Sequence, residues 1–270
     1  MSERREHLMF ILLMILLGFI GSFFSGLLGI GGAIINYPLL LFIPPLLGVG
    51  GFTAHEVAAI SIFQVFFSSL SGIIGYRLQS RKTKTRLIHY SLAAWMGTSI
   101  LIGSLLGGLW SSRFEEQTIN IIYGILAVLA VILMLFPARG KEEMQKVEEI
   151  TFHRFLASSL AFVVGVVSGI VGAGGGFILI PIMMKVLRIP VRITIATSLS
   201  IVFVSAIGGV IGKISGGDIP ILPILFTVIG SIAGSPVGSL VGSKMDVKYL
   251  RYALVLLITI TAVKVWSSVF

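Results

Sequence analysis

The chain has 270 residues, of which 56% are apolar and 11% charged, and its mean hydropathy is +1.05. Soluble domains carry about 25% charged residues, so a soluble globular fold is excluded. The formal net charge of +9 does not indicate nucleic acid, because the basic residues cluster between apolar runs, as they do in positively charged cytoplasmic loops. With no cysteine, neither a disulfide framework nor a thiolate metal site arises.

In chain order the apolar runs occupy about 8–47, 52–76, 88–110, 118–136, 155–187, 193–214, 219–242 and 249–270. They are continuous rather than alternating, which favours helices over a membrane barrel. Arg4 and Arg5 precede the first run as in a signal peptide, yet no small-x-small cleavage pattern follows in the usual place, so a retained helix is expected. The first and fifth runs are too long for one ordinary span of about 20 residues. Residues 138–154 mix Arg139, Lys141 and Lys146 with Glu142, Glu143, Glu148 and Glu149 and read as a solvated linker. The expected units are a first transmembrane repeat (1–137), a cytoplasmic linker (138–154) and a second repeat (155–270).

The halves repeat each other. Residues 25–38, SGLLGIGGAIINYP, align without a gap on 168–181, SGIVGAGGGFILIP, at an offset of 143. After a six-residue excess around Pro44 and Pro45, Ala59-Ile60-Ser61 matches Ala196-Thr197-Ser198, and Gly72 and Gly75 match Gly209 and Gly212. A third block sets Gly103-Ser104 and Gly107 on Gly234-Ser235 and Gly238. Repeats of this size are characteristic of transporter folds.

Four plain spans per half would place Lys185, Arg188, Arg192, Lys244, Lys248 and Arg251 outside, against the positive-inside tendency. If 8–47 and 155–187 are instead helical hairpins with the glycine motif at the tip, 15 of the 20 Lys and Arg fall inside. The predicted fold is therefore all-α: a polytopic membrane protein of two inverted repeats, each a glycine-tipped hairpin plus three transmembrane helices. Arms of about 16 residues, roughly 24 Å, predict short, partly penetrating hairpins. Whether they cross fully, giving ten segments rather than eight, stays open.

Clustered glycines break a helix, and a broken helix in lipid is tolerated only where it is buried in protein or lines a cavity. The arms beginning at Gly31 and at Gly174 would present unpaired N–H groups and the positive ends of their dipoles, which attract anions. Two inverted tips meeting near the midplane could hold a small anion with backbone donors and the hydroxyls of Ser61, Thr197 and Ser198. The predicted substrate-binding set is Gly31, Gly32, Ser61, Gln64, Gly174, Gly175, Gly176, Thr197 and Ser198. No arginine or lysine is placed at mid-membrane. Gly208-x-x-x-Gly212 and Gly234-x-x-x-Gly238 read as close-packing surfaces. Neither tip is a nucleotide-binding loop, since no Gly-Lys-Ser/Thr follows and no strand pattern precedes.

The paired Ser-Gly-x-x-Gly-x-Gly-Gly-(Gly/Ala)-x-x-x-x-Pro motifs, the Ala196-Thr197-Ser198-Leu199 run and the segment 213–219, KISGGDI, resemble the sulfite exporter TauE/SafE family over essentially the whole chain. The resemblance implies membrane transport of small sulfur-containing or carboxylate anions such as sulfite, organosulfonates and sulfoacetate. The first half departs from the pattern, with Ala33 for the third glycine and Ile60 for the threonine.

Other polar residues have two readings each. Gln64 is either a substrate ligand or an interhelical tie; Asn36 is either a substrate contact or pairs with carbonyls freed by Pro38; His55 and Glu56 are solvated at the start of a span or carry a coupling proton. Lys213 and Asp218 frame an interfacial loop. Trp95, Trp110, Trp266, Tyr76 and Tyr123 anchor at the interface or pack. No catalytic triad, metal-ligand spacing or cofactor motif is visible, so no catalytic residue, metal or cofactor is expected. The expected partners are a small anionic substrate and the lipid bilayer, with a homodimer open and nucleic acid excluded; the expected location is the cell membrane. A passive anion channel and a structural scaffold are the alternatives.

Overall fold

A computed structural model describes residues 2–31, 33–83, 88–135, 147, 150–217, 219–246, 248–249, 252, 255–256, 259–260, 263 and 266–267. Among these there is no strand. The helices are α1 (Ser2–Leu28), α2 (Ala33–Leu46), α3 (Ala54–Thr83), α4 (Tyr90–Trp110), α5 (Glu116–Leu135), α6 (Arg154–Val171), α7 (Gly176–Lys185), α8 (Val191–Gly216) and α9 (Ile221–Lys244), with a 3-10 turn at Ser111–Arg113. The described positions from 248 to 267 are helical too. Six helices (α1, α3, α4, α6, α8 and α9) are long and apolar enough to cross a membrane, while α2, α5 and α7 provide shorter apolar stretches.

Local sequence explains where helices begin and stop. Thr53 and Glu56 form a capping box at α3: the Glu56 carboxylate accepts from Thr53 N at 2.8 Å, and Thr53 Oγ1 accepts from Glu56 N at 3.2 Å. Glu56 is thus spent on the helix start. His89 Nδ1 caps α4 by accepting from Leu92 N at 3.0 Å. The two glycine motifs end α1 and α6 through left-handed residues, Gly29 (φ 70°) and Gly31 (φ 75°) in one half and Gly172 (φ 75°), Gly174 (φ 63°) and Gly175 (φ 77°) in the other. Side chains rarely tolerate that conformation, which is why the breaks fall at glycine.

Small residues let helix backbones touch. The carbonyls of Ile15, Phe19, Phe23 and Leu27 on α1 lie against Gly230, Gly234, Gly238 and Gly242 on α9, so the two helices run parallel. In the other half, the carbonyls of Phe162 and Val166 on α6 lie against Gly103 and Gly107 on α4, again parallel. Each contact is the counterpart of one in the first set, with the halves exchanged: α1 of the first half packs on α9 of the second, and α6 of the second on α4 of the first. Gly208 meets Leu101 O and Gly212 meets Gly108, so α4 and α8 are parallel as well. Close packing is therefore the role of both Gly-x-x-x-Gly pairs.

The equivalent helices α3 and α8 cross antiparallel, since Gly209 faces Ile62 while Gly72 faces Leu199. Because α3 also runs parallel to α9, through Gly72 against Ser235 and Gly75 against Ser239, it points the same way as α1. The intervening α2 must return the chain, and by the same reasoning α7 returns it between α6 and α8. Both are hairpins, but their arms are unequal. The expectation of two short arms is corrected: α1 has 27 residues and α6 has 18, whereas α2 has 14 and α7 only 10, about 15 Å. The break sits late in each run because the glycines do.

One end of the bundle gathers the starts of α4, α6 and α8 with the end of α9. There the Arg154 guanidinium lies 5.6 Å from the Trp95 ring centroid, and Arg192 donates to the carbonyls of Ser243 and Met245 at 3.0 Å each. The opposite end gathers the starts of α3, α5 and α9 with the ends of α4 and α8. Tyr76 and Tyr123 are buried and Trp266 donates to Gly124 O at 3.2 Å, so these three pack rather than anchor at an interface. Trp95 and Trp110 are exposed.

Candidate functional site

The two glycine tips meet. A Cβ on Gly31 would stand 2.5 Å from Val202 Cγ1 and 3.4 Å from Val65 Cγ1; on Gly174 it would stand 2.7 Å from Val65 Cγ1 and 3.3 Å from Val202 Cγ1. Val65 and Val202 are equivalent residues of α3 and α8, so one valine pair closes over both tips. A Cβ on Gly176 would overlap the Ile30 carbonyl, which brings the tips into direct contact. Val65 and Val202 each lie eleven residues into their helices, about 16 Å. The first turns of α2 and α7, each with unpaired backbone donors, thus approach one another deep inside the bundle.

Around this junction the predicted residues behave differently from one another. Gly31, Gly174, Gly175 and Gly176 form the tips, whereas Gly32 lies outside the described residues. Ser198 donates to the Gly29 carbonyl at 2.8 Å, tying α8 to the first tip. Its counterpart Ser61, also buried, has no hydrogen-bond partner. Gln64 donates through Nε2 to Gly18 O at 3.0 Å and to Ser22 Oγ at 3.5 Å, while its Oε1 has no partner. Among the described residues Thr197 makes no hydrogen bond to the tips; its Oγ1 accepts from His89 N at 3.0 Å, fastening the start of α4 to α8. One position along a helix turns the side chain by about 100°, so adjacent Thr197 and Ser198 serve different neighbours.

Two polar residues differ from expectation in their surroundings. Asn36 does not pair with freed carbonyls: it is 1% exposed and neither Nδ2 nor Oδ1 has a partner. Lys213 lies in the last turn of α8, beside the loop it was expected to frame, but is buried at 7% exposed rather than interfacial, donating to Ser111 Oγ and, at 3.4 Å, to the Ile170 carbonyl near the end of α6. Asp218 lies outside the described residues. Lys213 lines a cavity of about 580 Å³ together with Thr53, His55, Glu56, Ser111 and Glu116 at the second end of the bundle. Ala59 also lines it and adjoins Ala58, whose carbonyl packs on Gly172. The equivalent of Lys213 in the first half, Tyr76, is buried as well.

Comparison with known proteins adds to this geometry. A sequence profile described as "Sulfite exporter TauE/SafE" matches residues 14–265. The chain is 25% identical over 234 residues to the probable membrane transporter protein YunE of Bacillus subtilis, covering 81% of this chain and 84% of that protein. It is 28% identical over 230 residues to the probable membrane transporter protein YdhB of the same organism, covering 83% and 86%. A probable membrane transporter protein of Methanocaldococcus jannaschii is 27% identical over 213 residues, covering 78% and 74%. No solved structure matches the chain.

Proposed function

Because the chain belongs to the sulfite exporter TauE/SafE family, whose members are membrane transporters and not enzymes, we propose that it carries a small anion by secondary transport. The substrate class is sulfite, an organosulfonate, sulfoacetate or a related carboxylate. The observation that carries this reading is the meeting of two broken-helix N-termini beneath one valine pair. Backbone N–H groups at helix starts hold anions without a buried basic residue, and a membrane interior accepts freed backbone only where protein or a ligand covers it. Gly31, Gly32 and Gly174 to Gly176 supply those donors, with Ser61, Gln64 and Ser198 beside them; Thr197 supports the site from the next helix face.

The same reading takes the protein as two inverted repeats, 1–137 and 155–270, joined by a cytoplasmic linker at 138–154. Two features support it: the antiparallel crossing of α3 and α8, and hairpin returns that bring the loops after α3, α5, α7 and α9 to one end of the bundle. Those loops together with the helix ends that flank them carry 15 of the 20 Lys and Arg, so that end is cytoplasmic by the positive-inside rule. The cavity at Lys213 then opens to the outside. Tips sealed by valines suit a carrier that closes between passages better than an open pore.

The test is a thermal-shift screen of purified protein against sulfite, sulfonates and small carboxylates, since binding to the native state raises apparent stability. Flux in proteoliposomes follows: a carrier saturates and shows counterflow, whereas a channel gives large unitary currents. Absence of stabilisation and of flux with every anion would overturn the reading.

A further inference from the structure

The two halves share a backbone plan but not its polarity. In the first half, Asn36 Oδ1 and Gln64 Nε2 both crowd the position where Gly21 lacks a Cβ, so the two amides are neighbours in a notch between α1, α2 and α3. The equivalents of Gly21, Asn36 and Gln64 in the second half are Val164, Leu179 and Ile201, all apolar. The hydroxyls divide similarly: Ser198 is bonded to Gly29 O, whereas Ser61 is not bonded at all. Ser61, Gln64 and Ser68 stand on one face of α3 at helical spacing; Ser25 and Ser68 are buried without partners as well, though so is Ser205, the equivalent of Ser68, and the difference between the halves rests on Asn36, Gln64 and Ser61. A buried polar group left without a partner is unfavourable, and here several converge in one seam of one half.

We propose that this seam is the substrate's headgroup site: a small oxyanion binds in the first half, held by Asn36, Gln64 and Ser61, and the second half contributes an apolar wall. The proposal rests on the reading of the protein as an anion transporter and makes its site one-sided. The Gln64 orientation is set by Gly18 O, which accepts from Nε2 and would repel Oε1. Asn36 is the fourth residue of α2 and so lies in its first turn, at the positive end of the helix dipole. That field, and the absence of any acidic residue among those of the seam, favour an anion over a metal cation. The anion would accept from Asn36 Nδ2, from the serine hydroxyls and from the Gln64 Nε2 hydrogen that Gly18 O does not take.

The experiment measures binding of sulfite, methanesulfonate and acetate to the purified full-length protein by thermal shift and calorimetry. Asn36→Asp and Gln64→Glu keep side-chain shape and add negative charge; each should weaken binding of the anion at least tenfold while the protein stays monodisperse. Ile229→Leu, on the exposed face of α9 and outside the seam, should bind as the parent does. Asn36→Ser, neutral and smaller, is read in the same way if the acidic variant does not fold. Undiminished binding in folded variants at both Asn36 and Gln64 overturns the one-sided site while leaving anion transport intact. If the unaltered protein binds none of the three anions, the transport reading fails first. Stabilisation by sodium over choline that disappears in the neutral variant, with no anion effect, would also overturn the proposal, assigning the seam to a cation.

Discussion

Tyr76 and Lys213 occupy equivalent positions in the two halves, and each donates to a carbonyl in the last turn of its own half's broken helix. The Tyr76 hydroxyl reaches Gly26 O at 3.1 Å and the Lys213 ammonium reaches Ile170 O at 3.4 Å. The last turn of a helix leaves carbonyls without internal partners, so both side chains fasten the arm that leads into a glycine tip. Only the second half uses a charge. The Ile170 carbonyl also accepts from Ser111 Oγ at 2.9 Å, so it keeps a partner if the lysine is removed.

Lys213→Gln should therefore leave the protein folded and change anion capture more than binding. A cation lining an accessible cavity raises the encounter rate of anions, and salt screens the effect over about 10 Å at 0.1 M. Initial transport rates should fall at low ionic strength and converge with those of the parent at high ionic strength. Abolition of binding at every salt concentration would instead mean that the lysine contacts the anion directly.

Gly176→Ala should be severely damaging, because its Cβ would overlap the Ile30 carbonyl where the two tips touch. Overpacking of this kind typically costs about 1–3 kcal/mol, and here it also forces the tips apart. Gly216→Ala is the matched control: its Cβ would meet only Ser112 Cβ, at 3.9 Å. Melting temperature and uptake should both drop for the first variant and hold for the second.

Thr197→Val and Ser198→Ala, adjacent and alike in chemistry, should separate. The valine leaves the buried His89 N–H without its acceptor, at a cost of about 1–3 kcal/mol, so melting falls while substrate affinity holds. The alanine releases Gly29 from α8 and should slow transport, because the first tip loses its anchor. Equal loss of affinity in both would return Thr197 to the substrate.

Single cysteines replacing Ser80 and Lys185 should both resist impermeant thiol reagents in intact cells, and Gly51→Cys, at the cavity end, should react. Labelling of Lys185→Cys from outside would defeat the inverted arrangement.

Hydropathy, the sequence match at an offset of 143 and the glycine motifs determined by themselves that this is a helical membrane protein, where its helices break at glycine, and which family it resembles. Those properties are local: a run of apolar residues chooses a helix in lipid, and adjacent glycines end it wherever they stand. The tertiary structure alone decided which carbonyl each side chain meets. Thr197 serves α4 rather than the tips, Lys213 turns inward to Ile170, and Asn36 is stranded beside Gly21, because helix rotation and crossing set these neighbours and no local pattern encodes them. The unequal hairpin arms follow from where the glycines stop the helix. The polar and apolar seams could be read from the aligned halves, but only packing revealed that Asn36 and Gln64 point into the same notch.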